Sequence, residues 1–354
     1  MRRHYLYLDL GFYSACNLKC VYCRDEIVRD RKDFTLANLM GQVDAFRRNF
    51  TAAVIKLSGY GEVTMWRDFE KSLELLSPLF PQVQVISNGT FQERIADAFL
   101  AHPNVTPNIT LDGHTPAANA LRVEGNARQH RAILGNIERF ADAGRPVEVN
   151  CVLHGANVDA LADFCQYLTD VAGDHVMLFP FPVKSFDRTP GTGLRLRAGF
   201  TELADQIDDI WERFAGILPP RAYLDDLKSF LVRGSRVDAC HVHWANTGTG
   251  SRNERLHCPN YGEDLTYGPM VEALTTGAQD VMRQENEHLQ KGHVGPACST
   301  CFNHFDVINL YLDGRIDLAE LQSLPSLRAP GTGEIAEAIK REFRQLRQLP
   351  IVSR

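Results

Sequence analysis

Cys16-Asn17-Leu18-Lys19-Cys20-Val21-Tyr22-Cys23 places three thiols at the spacing CxxxCxxC, just after a strand-like run, Tyr5–Phe12. Three thiolates so spaced can hold three irons of one [4Fe–4S] cluster and leave the fourth iron without a protein ligand. An open iron is useful only where something else binds it. The competing assignment is a structural zinc ion, which takes four ligands in a closed tetrahedron. No fourth Cys or His follows promptly after Cys23.

Outward from this loop, strand-like and helix-like segments alternate to about residue 180. After Tyr5–Phe12 come Leu36–Asn49 (helix), Ala53–Leu57 (strand), Phe69–Leu79 (helix), Val83–Ile86 (strand) and Phe91–Leu100 (helix). Asn108–Leu111, Val147–Leu153 and His175–Pro180 continue as strands, separated by helices over Ala127–Ala143 and Val158–Val171. Short strands rich in Val, Ile and Leu, alternating with helices, predict an α/β fold with a parallel sheet under crossover helices. Periodicity alone leaves open sheet and barrel both possible.

Tight turns close several of these strands. Ser58-Gly59-Tyr60-Gly61-Glu62 follows the second, with glycines that let backbone approach a ligand and a carboxylate suited to an ammonium. Ser87-Asn88-Gly89-Thr90 ends the third and Thr110-Leu111-Asp112-Gly113 the fourth. Asn-Gly and Asp-Gly are also ordinary turn pairs, but ligands in parallel α/β folds gather at the carboxyl ends of the strands.

Taken in this order, the segments resemble the radical S-adenosylmethionine (radical SAM) superfamily, whose signature is CxxxCxΦC with Φ aromatic. Tyr22 fills the aromatic place, and the resemblance covers roughly residues 5 to 185. It implies a partial (β/α)6 barrel, a [4Fe–4S] cluster on Cys16, Cys20 and Cys23, and SAM chelating the open iron. It implies further that Tyr22 lies near the adenine and that Gly59, Gly61 and Glu62 receive the methionine amino group. Asn88 and Asp112 would face the cofactor or substrate, Arg122 would pair with the SAM carboxylate, and Asn150 would hydrogen-bond the ribose. The family's chemistry is reductive cleavage of SAM to a 5′-deoxyadenosyl radical, which abstracts hydrogen from a substrate C–H bond.

A second cysteine set, Cys240, Cys258, Cys298 and Cys301, ends in CxxC. Four such ligands satisfy either zinc or a fully ligated [4Fe–4S] cluster. The set resembles the auxiliary-cluster extensions called twitch and SPASM. The shorter twitch form fits better, since SPASM domains carry more cysteines than these four. His241, His243, His257, His293 and His304 lie nearby as alternative ligands or as bases near neutral pH. Cys151 and Cys165 read as small core residues. The expected domains are a barrel over 1–217, an auxiliary-cluster region over 218–325 and a helical tail over 326–354.

Composition limits the function classes. The 354 residues are 44% hydrophobic and 23% charged, as in ordinary globular proteins, and the formal net charge is −6. That charge leaves no footprint for nucleic acid or anionic lipid. No run of about 20 apolar residues is present to span a membrane. Arg2 and Arg3 before an apolar run imitate a secretion signal, but Asp9 interrupts it. A cytoplasmic location is expected, and nine cysteines in clusters there read as metal sites.

A closed four-cysteine auxiliary set has no open iron and suits electron transfer. The expected reaction is therefore a two-electron dehydrogenation of a sugar- or aminocyclitol-like small molecule. A flavodoxin- or ferredoxin-type donor would supply electrons. The alternative is radical modification of a ribosomally made peptide (crosslinking, oxidation or epimerisation). With 15 residues before Cys16, no N-terminal leader-binding domain is expected, although a leader binder can be a separate protein. The segments Phe181–Leu194 and Tyr261–Met270 are expected to shape the substrate pocket.

Overall fold

Alternate residues of the first strands are apolar on one face and polar on the other, and this division organises the molecule. The computed structural model describes residues 3–23, 34–59, 61–183, 197–250, 253–258 and 265–347. Six strands run in parallel, β1 (Arg3–Tyr13), β2 (Phe50–Gly59), β3 (Gln82–Ser87), β4 (Val105–Thr110), β5 (Val147–Leu153) and β6 (Val176–Pro182). They lie side by side in chain order, as βαβ crossovers of one hand require. The helices between them include Leu36–Asn49, Phe69–Leu76, Glu93–Leu100, Ala127–Asp142 and Leu161–Ala172.

Local chemistry explains the element ends. Leu36–Asn49 starts at Thr35, whose Oγ1 accepts from Asn38 N while Asn38 Oδ1 accepts from Thr35 N, a reciprocal capping box. Leu8, Leu10, Ile55, Leu57, Val85, Ile109 and Val149 are buried beneath this helical layer. On the other face the sheet curves round on itself. Gln84 of β3 donates to Glu148 of β5 across β4, and Ser326 bonds both Tyr7 of β1 (2.9 Å) and Glu148 (2.8 Å). Sequential parallel strands enclosing a polar interior make the partial (β/α)6 barrel expected from the resemblance.

Beyond residue 217 the chain returns to the barrel. β7 (Asn246–Thr249) adds in parallel to β1, and β8 (Glu254–Leu256) and β9 (Thr266–Pro269) follow antiparallel. The stretch from Arg236 to His304 shows little periodicity, yet it contributes these strands and the helix Ala278–Lys291. The helix is amphipathic, but its apolar positions are few (Val281, Leu289), so its pattern is faint in sequence. At the free edge of β6, Leu178 N donates to Ile217 O and Tyr223 donates to Pro180 O, which blunts an exposed strand. Helix Thr332–Arg347 packs on the outer face of β1 and β2, and the turn Pro325–Leu327 closes the amino end of the barrel against β2, β3 and β5.

Candidate active site

The cysteine loop leaves β1 at Tyr13 and is pinned at once to the turn after β2. Gly61 N donates to Tyr13 O (3.0 Å) and Glu62 N to Ala15 O (2.8 Å). No side chain fits at 61: a Cβ would stand 2.2 Å from Ala15 O and 2.5 Å from the Ser14 carbonyl carbon. Glycine is therefore required here for close approach, not for an unusual φ. Gly59 ends β2, while Tyr60 lies outside the described residues.

Cys16, Cys20 and Cys23 are free thiols of one loop, near enough that an ionised neighbour opposes ionisation of Cys16 and of Cys20. Among the described residues no three Cys, His, Asp or Glu side chains are gathered about a single ion site. A cluster taking one thiolate per iron does not need such a gathering. Burial pushes the Cys16 thiol up, against hydrogen bonds from Leu18 N (3.4 Å) and Asn88 Nδ2 (3.7 Å). Burial also pushes up Cys20, opposed by the Arg122 guanidinium 3.6 Å from its sulfur. Val21 N donates to Leu121 O, fixing the loop against the segment that carries Arg122.

Glu62 is buried, and its carboxylate is occupied. Oε1 accepts from Thr64 Oγ1 (2.6 Å) and Ser87 Oγ (2.7 Å), and Oε2 from Asn88 N (2.5 Å). Burial raises its pKa despite these donors. Glu62 thus fastens the β2 turn to the end of β3. Asn88 in turn reaches Asn17 Oδ1 at 2.8 Å, linking β3 to the cysteine loop.

A second knot holds Tyr22. Its hydroxyl donates to Asp112 Oδ2 and accepts from Arg122, and Arg122 lies 3.5 Å from Asp112 Oδ1. Val152 N also donates to Asp112, and His154 Nε2 stands 3.7 Å away. Burial works to raise the Asp112 pKa, but Arg122, His154 and Tyr22 outweigh it and hold the carboxyl below its usual range. Asn150 is different. It is buried on β5, and its Oδ1 has no partner, which leaves an acceptor for a group the chain itself does not supply.

The late cysteines are only partly gathered. Cys240 and Cys301 influence each other and both lie beside Arg236, which donates to Cys301 O (2.8 Å) and pairs with Asp306 at 2.5 Å. Burial pushes the Cys240 thiol up to about 12. Asn303 Nδ2 lies 3.4 Å from the Cys301 sulfur, and Cys298 shares a turn with Cys301. Cys258 is buried just past β8, where residues 259–264 lie outside the described residues.

Of the histidines, His304 packs on Phe179 and Phe181, inside β6, while His257 hydrogen-bonds His288. Cys151 is bonded through sulfur to Asp112 O and Asn157 and influences Cys165. Both thiols belong to the layer between sheet and helices.

A family model described as the Radical SAM superfamily matches residues 10–168. The chain carries a radical SAM domain. PqqA peptide cyclase of Streptomyces rochei is 26% identical, over 81% of this chain and 78% of that protein. Neomycin C epimerase of Streptomyces fradiae is 25% identical, over 40% of this chain and 48% of the epimerase. The chain spans about half the length of most curated relatives it matches. Among solved structures, anSMEcpe with bound AdoMet aligns at a TM-score of 0.58 and 15% identity, covering 97% of this chain and 98% of that one. That likeness shows a shared fold.

Radical SAM enzymes work with a [4Fe–4S] cluster and SAM, and the residues here fit both. Three thiols of one loop and the side-chain-free cradle at Gly61 lie at the carboxyl ends of β1 and β2, and β5 offers the unpartnered Asn150 oxygen. No helix among the described residues is long and apolar enough to cross a membrane.

Several residues facing the barrel interior escaped the motif reading. Asp9, Lys56, Gln84, Asn108 and Glu148 are all buried there. Their signal was present: strands buried on both faces in a parallel sheet read as continuous apolar runs, whereas Gln82-Val83-Gln84-Val85 and Val147-Glu148-Val149-Asn150 alternate. Phe181–Leu194 as a pocket wall falls mostly outside the described residues, as do residues 261–264 of the second expected wall.

Proposed function

We propose that this radical SAM enzyme dehydrogenates a hydroxyl-bearing small molecule of sugar or aminocyclitol type, with Cys240, Cys258, Cys298 and Cys301 holding an auxiliary [4Fe–4S] cluster. When bound, the cofactors supply a radical that takes one hydrogen atom from substrate carbon and a second cluster that accepts the surplus electron. The chain must then remove the hydroxyl proton. Ser58, half-buried at the end of β2, donates to Asp9 Oδ1 at 2.5 Å, and Asp9 pairs with Lys56. A substrate hydroxyl proton handed to Ser58 oxygen as Ser58 passes its own on is taken up by Asp9. Glu62, Asn88, Asp112 and Arg122 act mainly by fixing the loop and Tyr22, while Asn150 offers its free oxygen to the cofactor.

The observation that carries this reading is the gathering of Cys240 and Cys301 around Arg236, which suits an electron outlet. The placement of Cys151 and Cys165 behind the sheet argues in the same direction, since neither is aimed at the interior to return a hydrogen atom. The test is incubation of reconstituted enzyme with SAM, a flavodoxin- or ferredoxin-type donor and a set of aminocyclitols and sugars. One 5′-deoxyadenosine should form per product, with the product lighter by two hydrogens. A product isomeric with its substrate would end this reading. Peptide modification is kept as a second reading because the peptide cyclase match extends over 81% of the chain. Saturable binding of a short precursor peptide would favour it.

A further inference from the structure

Asparagine side chains stand against two of the late cysteines in the same way. Asn303 is buried, its Oδ1 accepts from Phe305 N (2.9 Å), and its Nδ2 lies 3.4 Å from the Cys301 sulfur. Asn309 is buried as well, and its Oδ1 accepts from His241 N (2.7 Å). Its Nδ2 donates to Asp306 at 2.9 Å, with the Cys240 sulfur 4.0 Å away. A backbone N–H can only donate, so each amide must present its oxygen to it and turn its nitrogen to the sulfur side.

Capping a turn does not account for Asn303. That task uses the oxygen alone, and Asp or Ser performs it too. The amide adds a donor, and the donor is spent on sulfur. A thiol is a weak acceptor, whereas a thiolate takes a charge-assisted bond roughly twice as strong as a neutral one. The donor is therefore matched to Cys301 as a thiolate in a metal centre. Arg236 acts in the same direction. It donates to Cys301 O (2.8 Å) and pairs with Asp306 at 2.5 Å, yet at Cys240 its positive charge outweighs the negative charge of Asp306. Hydrogen bonds to sulfur and net charge set the potential of an iron–sulfur cluster. Donors and positive charge favour its reduced, more negative form.

We propose that Asn303 donates to the Cys301 thiolate and, together with Arg236, raises the reduction potential of the auxiliary cluster. This rests on the assignment of the late cysteines to a [4Fe–4S] cluster made above and deepens it. Both are positioning residues, acting on the electron through the thiolates. In the dehydrogenation, substrate carbon loses a hydrogen atom to the radical and its hydroxyl loses a proton to the base. One electron is left over, and a raised potential favours its uptake as the cluster passes from the 2+ to the 1+ state.

The experiment is a redox titration of the anaerobically reconstituted enzyme, followed by electron paramagnetic resonance. Asn303→Ser keeps an oxygen for Phe305 N, stays neutral and removes the amide N–H. It should weaken the hold of the auxiliary cluster on its electron about threefold. Asn303→Asp puts a negative charge in place of the donor and should weaken that hold at least about tenfold, a midpoint about 59 mV lower. The midpoint of the first cluster should stay where it is in both. An auxiliary midpoint unmoved in Asn303→Ser, or equal movement of both clusters, overturns the proposal. Should these variants lose the late-site iron, the native Asn303 decides it. With Cys16, Cys20 and Cys23 replaced by Ala and amide-nitrogen-15 asparagine incorporated, pulsed resonance of the reduced protein should show coupling to an asparagine nitrogen. Absence of that coupling overturns the proposal. An unmodified enzyme with no second cluster would remove the auxiliary assignment and this proposal together, whereas a second cluster indifferent to Asn303 removes this proposal alone.

Discussion

At the scale of single residues, position 61 shows how strictly this site is built. A Cβ there would meet backbone atoms at 2.2 and 2.5 Å, which no rotamer change relieves. Gly61→Ala is expected to displace the Ser14–Cys16 segment at a cost of about 1–3 kcal/mol, the usual range for overpacking. Iron retained at the first site should fall with it, read as loss of cluster absorbance after reconstitution. Asp112→Asn is a second case. It leaves the buried Arg122 with its counter-charge removed, a change worth about 3–5 kcal/mol when a buried pair is broken. A melting curve of the variant beside that of the unmodified protein measures this loss.

His243 gives the residue scale a pH dependence. Burial lowers its pKa to about 3, from 6.5. As pH falls, the unfolded chain gains this proton first, so stability present above about 6.5 is lost progressively down to about 3. Its share of that loss is about 2 kcal/mol between pH 7 and pH 5. Denaturant titrations at the two pH values should therefore show a smaller loss in His243→Phe than in the unmodified protein.

At the scale of elements, the segment before Cys240 and the helix Asp306–Asp313 are joined by the Arg236–Asp306 pair, with Asn309 bonded to Asp306 and to His241 N. This junction holds Cys240 and Cys301 together although most of the auxiliary region lies between them in sequence. Asp306→Asn should loosen the late-cysteine site selectively. The expected outcome is lowered iron from that site with the first cluster retained, separable by electron paramagnetic resonance of the reduced protein. Loss of both signals in parallel would mean general unfolding instead.

At the scale of the whole molecule, the proposed reading gives each of the two cysteine sets one cluster. About eight irons per chain are expected after anaerobic reconstitution, falling to about four when Cys16, Cys20 and Cys23 are all replaced by Ala. About four falling to near zero would leave the late cysteines without iron and remove the electron outlet from the proposed reaction. The interior belt and the stopper at Ser326 also belong to this scale, because each joins residues from strands far apart in the chain.

The sequence by itself determined the alternation of strands and helices to residue 180 and the chemistry of the first cysteine loop. Both are local: periodicity shows in one segment at a time, and CxxxCxxC binds through neighbours in the chain. Helix Leu36–Asn49 and strand Val147–Leu153 were legible to the residue because a capping Thr marks the one and Val at alternate positions the start of the other. The tertiary structure decided what depends on distant contacts. β7 joins β1 across most of the chain, and Glu62 is committed to Ser87 and Asn88. Gln84 and Asn108 acquire free oxygens only because Glu148, two strands from one and one from the other, claims their nitrogens. Polar residues inside strands signal that something is enclosed. Only the curvature of the sheet brings them round a common space.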